Sequence, residues 1–386
     1  MDPSWEVLLL EKSSQVLAKV KVSGGGRCNV THDCTEVSEL IKAYPRGKHF
    51  LRKAFSHFTP VDTREWFTSR GVPLKTESDG RVFPVSNQSQ DIIDCLRKEA
   101  DRCNVRVEYS AAVADLQKKE SEWQLTLTDG RIITATAVCL ACGGFNKLSA
   151  YDWLVRLGHT IIPPVPSLFT FNLPHHPISA LMGVSLPEVR VRVLDCAQEE
   201  QGPLLITHWG LSGPAVLRLS AWCARELAEK QWRFRVSINW LPQYHENSLR
   251  ELFYQYRSER PGDKLKAGNE WGLPKRLWNF LREQSGIDEE ERWGSLDAKL
   301  LNRLVRNCCI YEVQVEGKTT FKEEFVTAGG VSLSEIDPHT MQSKKWPGLY
   351  FAGELMDVDG ITGGYNFQNA WSSGWIAARA ITGGTP

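Results

Sequence analysis

Apolar runs of different periodicity divide the chain into segments of distinct character. The run "WEVLLLEK" ends at Glu11 and is typical of a strand buried on both faces of a parallel sheet. In "SQDIIDCLRKEADRC", residues 89–103, apolar positions recur at helical spacing and Ser89 is available as the N-cap. Strand-like runs follow at "VRVEYSAAVADLQ", "WQLTLT" and "RIITATAVCLAC", the last two joined by the hairpin pair Asp129-Gly130. This order predicts an α/β core.

The pattern changes after about residue 160. "TIIPPVPSLFTFNLP" combines proline with β-branched residues and "EVRVRVLD" alternates with a period of two, so we expect a mostly β insertion. The amphipathic segments "NSLRELFYQYRSE", "LPKRLWNFLREQSG" and "SLDAKLLNRLVRN" predict helices. Strands and glycine turns then return. We therefore predict an α/β domain of residues 1–160 and 325–386, a β-rich inserted domain of residues 161–245 and 308–324, and a helical subdomain of residues 246–307.

Charge and hydropathy limit the classes of partner. Lys plus Arg and Asp plus Glu both total 46 in 386 residues, and no window reads as a long basic tract. We therefore expect no nucleic-acid partner. No run approaches the ~18 to 20 apolar residues of a membrane span, so we expect no membrane association. The opening "MDPSWEVLLLEK" has no basic segment ahead of its apolar part, which argues against a signal peptide.

Cysteine and histidine usage predicts no metal site. The ten cysteines lack the spacing of a disulfide scaffold, which favours reduced thiols in an intracellular, reducing compartment: the cytoplasm, or an organelle if an N-terminal segment is missing. Cys139 and Cys142 form a C-x-x-C, but they lie in the apolar run "AVCLACGG", where cysteine acts as a small hydrophobic residue. His175 and His176 lie between prolines without a third ligand, and we expect a solvated loop there.

Two glycine clusters at opposite ends of the chain carry the first chemical signal. "SGGGRCN", residues 23–29, allows positive φ and close backbone approach, and its Arg27 and Asn29 offer donors for phosphate or for the polar edge of a heteroaromatic ring. Gly363 and Gly364 precede a helix rich in small residues, where free N–H groups and the helix dipole favour an anion. Either cluster alone fits an ordinary glycine turn. Their pairing favours a binding site.

Successive motifs also resemble one known family. The motifs "EVLLLEK", "KVSGGGRCNVTH", "DGRVFPVS", "ITHWGLSGPAVLRLSAW", "FVTAGGVSLSEIDPHTM" and "GLYFAGELMDVDGITGGYNFQNAWSSG" are similar to those of the YhiN/BaiN-type flavoproteins, also called the aminoacetone oxidase family, in this order over essentially the whole chain. The resemblance implies an α/β, Rossmann-type FAD-binding domain made of both termini. A β-rich domain and a small helical subdomain interrupt it.

The resemblance also implies the FAD contacts. Glu11, an acidic residue ending a strand as in dinucleotide-binding units, is expected to bind the adenosine ribose, and Val113 is expected to contact adenine through its backbone. The first glycine cluster is expected near the flavin or pyrophosphate through Gly24, Gly25, Gly26, Arg27 and Asn29. Further contacts are expected from a second glycine turn, a late Gly-acid pair with the loop after it, and the start of the final helix: Gly143, Gly144, Gly353, Glu354, Asp357, Gly363, Gly364, Tyr365 and Asn366.

The implied activity is hydride transfer between a small organic substrate, such as an amine or an enone-like compound, and the flavin N5. Oxygen would re-oxidise the flavin, or NAD(P)H would exchange electrons with it. We expect the substrate cavity between the FAD and β-rich domains. Candidate catalytic residues are Arg27, Arg81 and His208; the alternatives are a surface turn for Arg81 and backbone contacts within a turn for His208. The oligomeric state is not predicted.

One family feature is missing from the printed sequence. A strand, a GxGxxG turn and a helix, about 30 residues in a standard unit, are expected ahead of "EVLLLEK", and none precedes it. We expect a start upstream of Met1, a shortened isoform, or a degenerate descendant. The alternative function is therefore a non-catalytic protein that binds FAD weakly or not at all. A flavoprotein acting on a tRNA base is a further alternative, which the lack of a basic stripe disfavours.

Overall fold

The structure, a computed structural model, describes residues 5–194, 196, 198–265, 271–319 and 326–384. Its strands are β1 (Leu8–Leu10), β2 (Thr31–His32), β3 (Leu74–Thr76), β4 (Arg81–Pro84), β5 (Arg106–Glu108), β6 (Val113–Lys119), β7 (Glu122–Leu127), β8 (Ile132–Ala135), β9 (Val138–Leu140), β10 (Ile161–Ser167), β11 (Thr170–Asn172), β12 (Ser185–Val193), β13 (Glu199–Ile206), β14 (Gly210–Ser212), β15 (Arg233–Asn239), β16 (Tyr311–Glu316), β17 (Lys318–Thr319), β18 (Val326–Val331) and β19 (Leu349–Phe351).

The α-helices are α1 (Ala18–Gly26), α2 (Val37–Leu40), α3 (Lys48–Ala54), α4 (Pro60–Thr68), α5 (Ser89–Arg102), α6 (Asp152–Arg156), α7 (Pro214–Trp222), α8 (Ala224–Glu229), α9 (Glu246–Glu259), α10 (Lys275–Gln284), α11 (Ala298–Cys309) and α12 (Tyr365–Ile381). Short 3-10 helices cover Ile41–Ala43, Leu148–Tyr151, Pro177–Leu181, Trp293–Ser295, Leu333–Glu335 and Gly353–Leu355. Within the described ranges, no helix combines the length and the apolar character that a bilayer-spanning segment needs.

The chain folds into two compact units. The first comprises residues 1–166 and 321–386, and the second comprises residues 167–320. The three-domain division predicted from the sequence, with its separate helical subdomain, stays a prediction. The first unit joins segments from both ends of the chain, and this gives the two glycine clusters the opportunity to meet.

The first unit is built from small sheets and the helices around them. β1 pairs with β5 and β9 pairs with β19, both in parallel, while β2-β4-β3 and β6-β7-β8 are antiparallel sheets. The parallel pairs bring strands from distant parts of the chain side by side. The last strand of the β9–β19 pair leads, through the 3-10 helix Gly353–Leu355, to the final helix α12.

The second unit contains an antiparallel sheet in the order β16-β15-β12-β13-β14-β11-β17. Strand β12 alternates buried valines, Val189, Val191 and Val193, with more exposed arginines, as the period of two predicted. The helices α9, α10 and α11 also occur where the amphipathic segments predicted them. Their buried side chains join those of the sheet in one hydrophobic core.

Local sequence signals were accurate for most elements and wrong in one detail. The Asp129-Gly130 pair forms the turn between β7 and β8, and Gly130 has a φ of 87°. The predicted helix over 89–103 is α5, but Ser89 is its first residue and not its cap. The Ser89 hydroxyl donates instead to the carbonyl of Lys21 at 2.8 Å, an acceptor that α1 offers because it packs beside α5.

Two cysteines correct the expectation of reduced thiols throughout. Cys196 and Cys223 form a disulfide that closes a separation of 27 residues, with a Cα–Cα distance of 6.8 Å. Neither cysteine belongs to a short paired motif, so their spacing gave no sign of the bond. The fold brings them together because Cys223 directly follows α7, Cys196 follows β12, and α7 packs on that strand and on β13.

A buried polar network closes the first unit near β10. His159 Nδ1 lies 3.0 Å from Glu335 Oε2, and its Nε2 lies 3.2 Å from Ser343 Oγ. The arrangement of Ser343, His159 and Glu335 resembles a Ser-His-acid triad. However, His159 and Ser343 are each only 3% exposed, and the Ser343 hydroxyl oxygen already accepts hydrogen bonds from the N–H groups of Lys345 and Trp346. The network is therefore structural.

Glu335 is the charged centre of this network. Burial alone would raise the pKa of its carboxyl group, but hydrogen bonds from Lys345, from Thr160 and from His159 outweigh burial and hold this pKa at about 2. A folded-state pKa below the unfolded value of 4.5 means stability that is present above pH 4.5 and lost as the pH falls towards 2.

We expect Glu335→Gln to destabilise the protein at neutral pH by about 3 kcal/mol, because a shift of this size corresponds to that free energy. The variant should also lose part of the stability change between pH 4.5 and 2. Urea denaturation across this pH range measures both effects. The matched control is Glu122→Gln, an exposed carboxylate on β7. Equal unfolding midpoints for the Glu335 variant and wild type at pH 7 would contradict this account.

Candidate functional site

The two glycine clusters meet at the start of α12. In the amide orientation that satisfies its neighbours, Asn29 Oδ1 accepts the N–H of Gly364 at 2.9 Å, and its Nδ2 donates to the carbonyl of Thr31 at 2.9 Å. Trp371 Nε1, about two turns further along α12, donates to the carbonyl of Val30 at 2.9 Å. The segment 29–32 is therefore seated against the N-terminal half of α12.

Glycine at position 364 is required by this seating. Gly364 is the N-cap of α12 with a φ of 93°, a conformation that side chains with a Cβ rarely adopt. A Cβ added there would lie 2.6 Å from the backbone of Thr31 and 2.8 Å from the side-chain amide group of Asn29. The first N–H groups of a helix have no intrahelical acceptor, so the start of α12 presents amide donors next to this junction.

A buried polar chain fixes the face of α12 behind the junction. Gln368 Oε1 accepts hydrogen bonds from the Thr31 hydroxyl at 2.6 Å and from the Thr63 hydroxyl at 2.9 Å. Gln368 Nε2 donates to Ser372 Oγ, whose hydroxyl donates to the carbonyl of Phe58. These side chains are almost fully buried, so breaking one bond leaves another polar group unsatisfied.

His32 completes the junction and was not among the predicted contacts. Its ring stacks on Tyr365 with centroids 4.8 Å apart, and its Nε2 lies 3.2 Å from the carbonyl of Asp79. Burial lowers the pKa of His32 below its usual value, although the Asp79 carbonyl and nearby carboxylates partly oppose this, so the ring is neutral at pH 7. Its Nδ1 is buried without a partner in the described part of the chain.

The loop that leads into α12 is held by a buried ion pair. Arg46 donates through Nε to Asp359 Oδ1 at 2.5 Å and through Nη2 to Oδ2, while Asp359 is fully buried. Asn366 in the first turn of α12 bonds both the N–H and the carbonyl of Gly360, at 2.8 and 2.9 Å. Two adjacent loop residues are therefore held in place: Asp359 by the ion pair with Arg46, and Gly360 by the side chain of Asn366.

The segment that carries Arg46 contacts the same loop at further points. The N–H of Ile361 donates to the carbonyl of Ala43 at 2.9 Å, and the Tyr44 hydroxyl donates to the carbonyl of Tyr365 at 2.7 Å. Burial raises the pKa of Tyr44 well above its usual value, so this phenol stays protonated. Asp357 lies in the loop as well, and its N–H donates to the carbonyl of Val331.

The second glycine turn and the late Gly-acid pair also come together. Glu354 Oε1 accepts the N–H of Thr327 at 2.8 Å, and Glu354 Oε2 lies 2.5 Å from Lys19 Nζ. A Cβ on Gly144 would lie 2.5 Å from Thr327 Oγ1 and 3.1 Å from Glu354 Oε1. Gly143, with a φ of 74°, faces open space.

Two buried oxygens near this turn have no partner among the described residues. They are Thr327 Oγ1 and Asn369 Oδ1. Asn369 lies on α12, where its Nδ2 is 3.4 Å from the carbonyl of Gly353, and the N–H of Gly353 donates to Ser373 Oγ at 2.8 Å. Buried oxygens without a donor are rare and costly, so each is a candidate acceptor for a bound group.

Arg27 and Arg81 lie close together but are neutralised. Both bind Glu77, through Oε1 at 2.6 Å and Oε2 at 3.0 Å respectively, and Arg81 also binds Asp79. The Arg27 guanidinium stacks 4.0 Å from the centroid of the Phe83 ring. Gly24, Gly25 and Gly26 all have left-handed φ values, and the last two face open space. Within this group, the glycine backbones are more accessible to a ligand than the arginine charges.

One backbone hydrogen bond joins the segment that carries Glu11 to the segment that leads to Val113. Glu11 directly follows β1, and its carbonyl accepts the N–H of Ala111, two residues before Val113. Glu11 Oε1 accepts the N–H of Ser13 at 2.8 Å, and Oε2 has no hydrogen-bond partner among the described residues. Val113 begins β6 and is 42% exposed.

His208 belongs to the second unit and is exposed at the turn between β13 and β14. Its ring packs edge-on against Trp209, with centroids 4.3 Å apart. His176 was expected in a solvated loop, but it is half-buried and its Nδ1 accepts the N–H of Ile178 at 3.2 Å. No cluster of three or more metal-ligating side chains occurs in the described ranges.

An α/β unit with parallel strand pairs and a glycine-started final helix, together with a β-rich second unit, defines a protein with the fold of FAD-binding oxidoreductases. The chain belongs to the HI0933-like (YhiN/BaiN) family of FAD-dependent proteins, since the family model "HI0933-like protein Rossmann domain" matches residues 2–380. The family and fold class expected from the motifs are thus confirmed. The expected absence of an N-terminal segment stays a prediction.

Two relatives span almost the whole chain. The chain is 33% identical over 386 residues to the ribosomal RNA dihydrouridine synthase of Escherichia coli (strain K12), covering 97% of this chain and 92% of the relative. It is 30% identical over 388 residues to the 3-dehydro-bile acid delta(4,6)-reductase of Clostridium scindens, covering 98% and 93%.

A solved structure supports the fold. The 3-ketosteroid delta1-dehydrogenase from Sterolibacterium denitrificans, in complex with 1,4-androstadiene-3,17-dione, has a TM-score of 0.50 at 13% identity. The match covers 99% of this chain and 96% of that chain.

We expect Gly364→Ala to destabilise the first unit by about 3 kcal/mol, because the added Cβ meets the Thr31 backbone and the φ is strained. The matched control is Gly374→Ala on the same helix, where an added Cβ meets nothing within 4 Å. This control should stabilise by roughly 0.5 to 1 kcal/mol, as alanine does in a helix interior. Thermal unfolding compares the two; two variants of equal stability would contradict the proposed seating.

Arg46→Gln should destabilise by about 3 to 5 kcal/mol, because it leaves the fully buried Asp359 carboxylate without its cation. The exposed pair of Arg64 with Asp33 offers the control: Arg64→Gln should cost at most about 1 kcal/mol. Urea unfolding midpoints measure both. A cost for Arg46→Gln that is no greater than that of the control would refute the role assigned to this ion pair.

Proposed function

We propose that this chain binds FAD in its first unit and transfers hydride between the flavin and an organic substrate. The observation that carries the proposal is the seating of segment 29–32 on the glycine-started helix α12, with Asn29 bonded to Gly364. This junction combines the start of a helix, where the first N–H groups have no intrahelical acceptor, with left-handed glycines from a distant segment. Such a combination is suited to a flat, partly anionic ligand.

The residues present fit FAD on three counts. The amides at the start of α12 offer donors, and the helix dipole favours negative charge beside them. Thr327 Oγ1 and Asn369 Oδ1 are buried oxygens that lack partners among the described residues, near the turn at Gly353. Glu11 has an oxygen available at the end of β1 for a ribose hydroxyl.

We therefore propose three groups of FAD contacts. Glu11 and the Val113 backbone would hold the adenosine part, and the glycines at 24–26 and 143–144 would line the diphosphate and ribityl region. Gly353 and Glu354 would reach the same ribityl and phosphate region. The remaining predicted residues would hold the flavin itself: Asn29, Asp357, Gly363, Gly364, Tyr365 and Asn366. Arg27 and Arg81 would lie beside these contacts, where their ion pairs with Glu77 hold them in place and neutralise their charge.

Hydride exchange at N5 is the chemistry that the cofactor supplies when bound. This chain's residues would hold its ring and bias its charge. The helix-start amides of α12 stabilise negative charge in front of them, in the manner of an oxyanion hole. Neutral His32, stacked on Tyr365, adds no positive charge there. NAD(P)H as electron donor is a further part of the proposal.

The names of the relatives favour one reaction type. A delta(4,6)-reductase of a 3-dehydro-bile acid and a dihydrouridine synthase both add hydrogen to a carbon–carbon double bond in a ring that also bears a carbonyl group. We propose the same chemistry here, with an enone-like small molecule as the first substrate class. Uridine in RNA is the second candidate, which the relative that is 33% identical favours.

The first test of this function is retention of FAD by the purified chain. FAD is added in excess, unbound FAD is removed, and the visible absorption of oxidised flavin is recorded. We expect about one FAD per chain, and bleaching of the bound flavin by NADH or NADPH without oxygen. A protein that stays colourless would overturn the proposal in favour of a non-catalytic family member.

The substitution Glu11→Gln tests the proposed contact with the adenosine part of FAD. Losing the charge of a ribose acceptor should weaken FAD binding roughly tenfold, which corresponds to about 1.4 kcal/mol, while FMN, which has no adenosine, should bind equally well to both proteins. Glu6→Gln is the control, since Glu6 is exposed on the same segment. Quenching of flavin fluorescence gives the affinities. Equal loss of FAD and FMN binding would argue against the assignment of Glu11.

A further inference from the structure

The exposed face of α3 carries a local excess of positive charge that the balanced composition hides. Between residues 40 and 61 the chain has five Lys or Arg residues and two histidines but no Asp or Glu. Arg46 is used internally by Asp359, and Lys42 binds Glu39. The solvent-facing side chains of α3 are the remaining basic ones: Lys48, His49, Arg52 and Lys53.

These side chains are not explained by contacts within the protein. No ion pair or side-chain hydrogen bond joins Lys48, Arg52 or Lys53 to another residue in the described part of the chain. Arg52 and Lys53 suit the last turn of α3, where the dipole favours cations. Lys48 does not, because it begins the helix, where a cation is unfavourable, and no acidic residue offsets it.

The spacing adds to this unfavourable arrangement. Lys48 and Arg52 are four residues apart, so two like charges lie next to each other on one face, which costs a helix a few tenths of a kcal/mol. Both the cation at the helix start and the adjacent like charges therefore lower the stability of α3. An external anion that neutralises several cations at once would remove both penalties.

The position of α3 connects this face to the proposed flavin site. Gly47, with a φ of 85°, precedes the helix, and a Cβ there would lie 2.7 Å from Val358 Cγ2 in the loop that leads to α12. Arg46, one residue earlier, binds Asp359 in the same loop. A ligand on α3 would thus contact an element that is anchored directly to the start of α12.

We propose that the exposed face of α3 binds the sugar-phosphate backbone of an RNA whose base is the substrate of the flavin site. Lys48 to Lys53 span about 8 Å along the helix axis, which matches an extended polyanion better than one phosphate group. A membrane surface fits less well, because the apolar residues of α3, Phe50, Leu51 and Ala54, are buried and leave nothing to insert into lipid. The inference rests on the proposed function for its chemistry, although the binding is measurable without turnover.

The test compares two triple variants of the full chain. Lys48→Gln, Arg52→Gln and Lys53→Gln remove the basic face of α3. Arg97→Gln, Lys98→Gln and Lys119→Gln remove the same charge from exposed positions on α5 and β6. Fluorescence anisotropy with a labelled, uridine-rich single-stranded RNA gives the affinity at a series of salt concentrations. Vesicles containing phosphatidylserine are the second probe.

We expect the α3 variant to bind RNA roughly tenfold more weakly or worse, and its slope of log affinity against log salt to be smaller by about 2, since each phosphate contact on a single strand contributes about 0.7. The control variant should keep a steeper slope and near wild-type affinity. Equal losses in both variants, or no loss in the α3 variant, would overturn the proposal. So would α3-dependent binding to the vesicles without binding to RNA.

Flavin absorption recorded on the same samples separates this inference from the proposed function. Both triple variants should retain FAD as wild type does, because none of the substituted residues belongs to the flavin site. Retained flavin with α3-independent RNA affinity would overturn the RNA surface alone. Absent flavin with α3-dependent RNA affinity would overturn the flavin function, and would support α3 as an RNA-binding face.

Discussion

The docking of segment 29–32 onto the start of α12 is the contact on which the rest of the first unit depends. It joins residues more than 300 positions apart through the Asn29–Gly364 bond and the buried bonds of Gln368. Because these groups are buried and polar, the contact is all or nothing: a partly formed junction would leave several donors and acceptors without partners. This contact brings the two glycine clusters together, whereas each cluster alone forms only a turn.

The same junction shows which features a sequence can reveal. Apolar periodicity predicted β12, α5 and the helices of the second unit, because each pattern is local and the buried face decides it. The glycine clusters pointed to a site, since left-handed turns and bare helix starts need glycine. The Arg46–Asp359 ion pair could not be predicted from the sequence, because the two residues are 313 positions apart and come into contact only in the folded chain. The neutralisation of Arg27 by Glu77 was hidden for a similar reason, since the two residues are 50 positions apart, whereas Arg81 and Glu77 are only four residues apart.

The distribution of charge on the folded surface also could not be predicted from the composition. The composition sums to zero net charge, and this sum suggested that nucleic acid was not a partner. The fold separates the charges, since α3 turns its apolar residues inward and exposes only basic ones. Electrostatic recognition depends on such local surfaces and not on the total. The loop fixed by Asp359 links this surface to the start of α12, so that binding on α3 and chemistry beside α12 would share one rigid element.

Hydrogen exchange of the backbone amides, measured with and without FAD, tests the central claim most directly. The account predicts slower exchange on FAD binding at residues 364–367 and in the segment 24–32, because these amides would bind the flavin or be covered by it. Residues of α9 to α11 should be unaffected and serve as the internal reference. Protection confined to other segments, with unchanged exchange at the start of α12, would contradict the assignment of this junction as the flavin site.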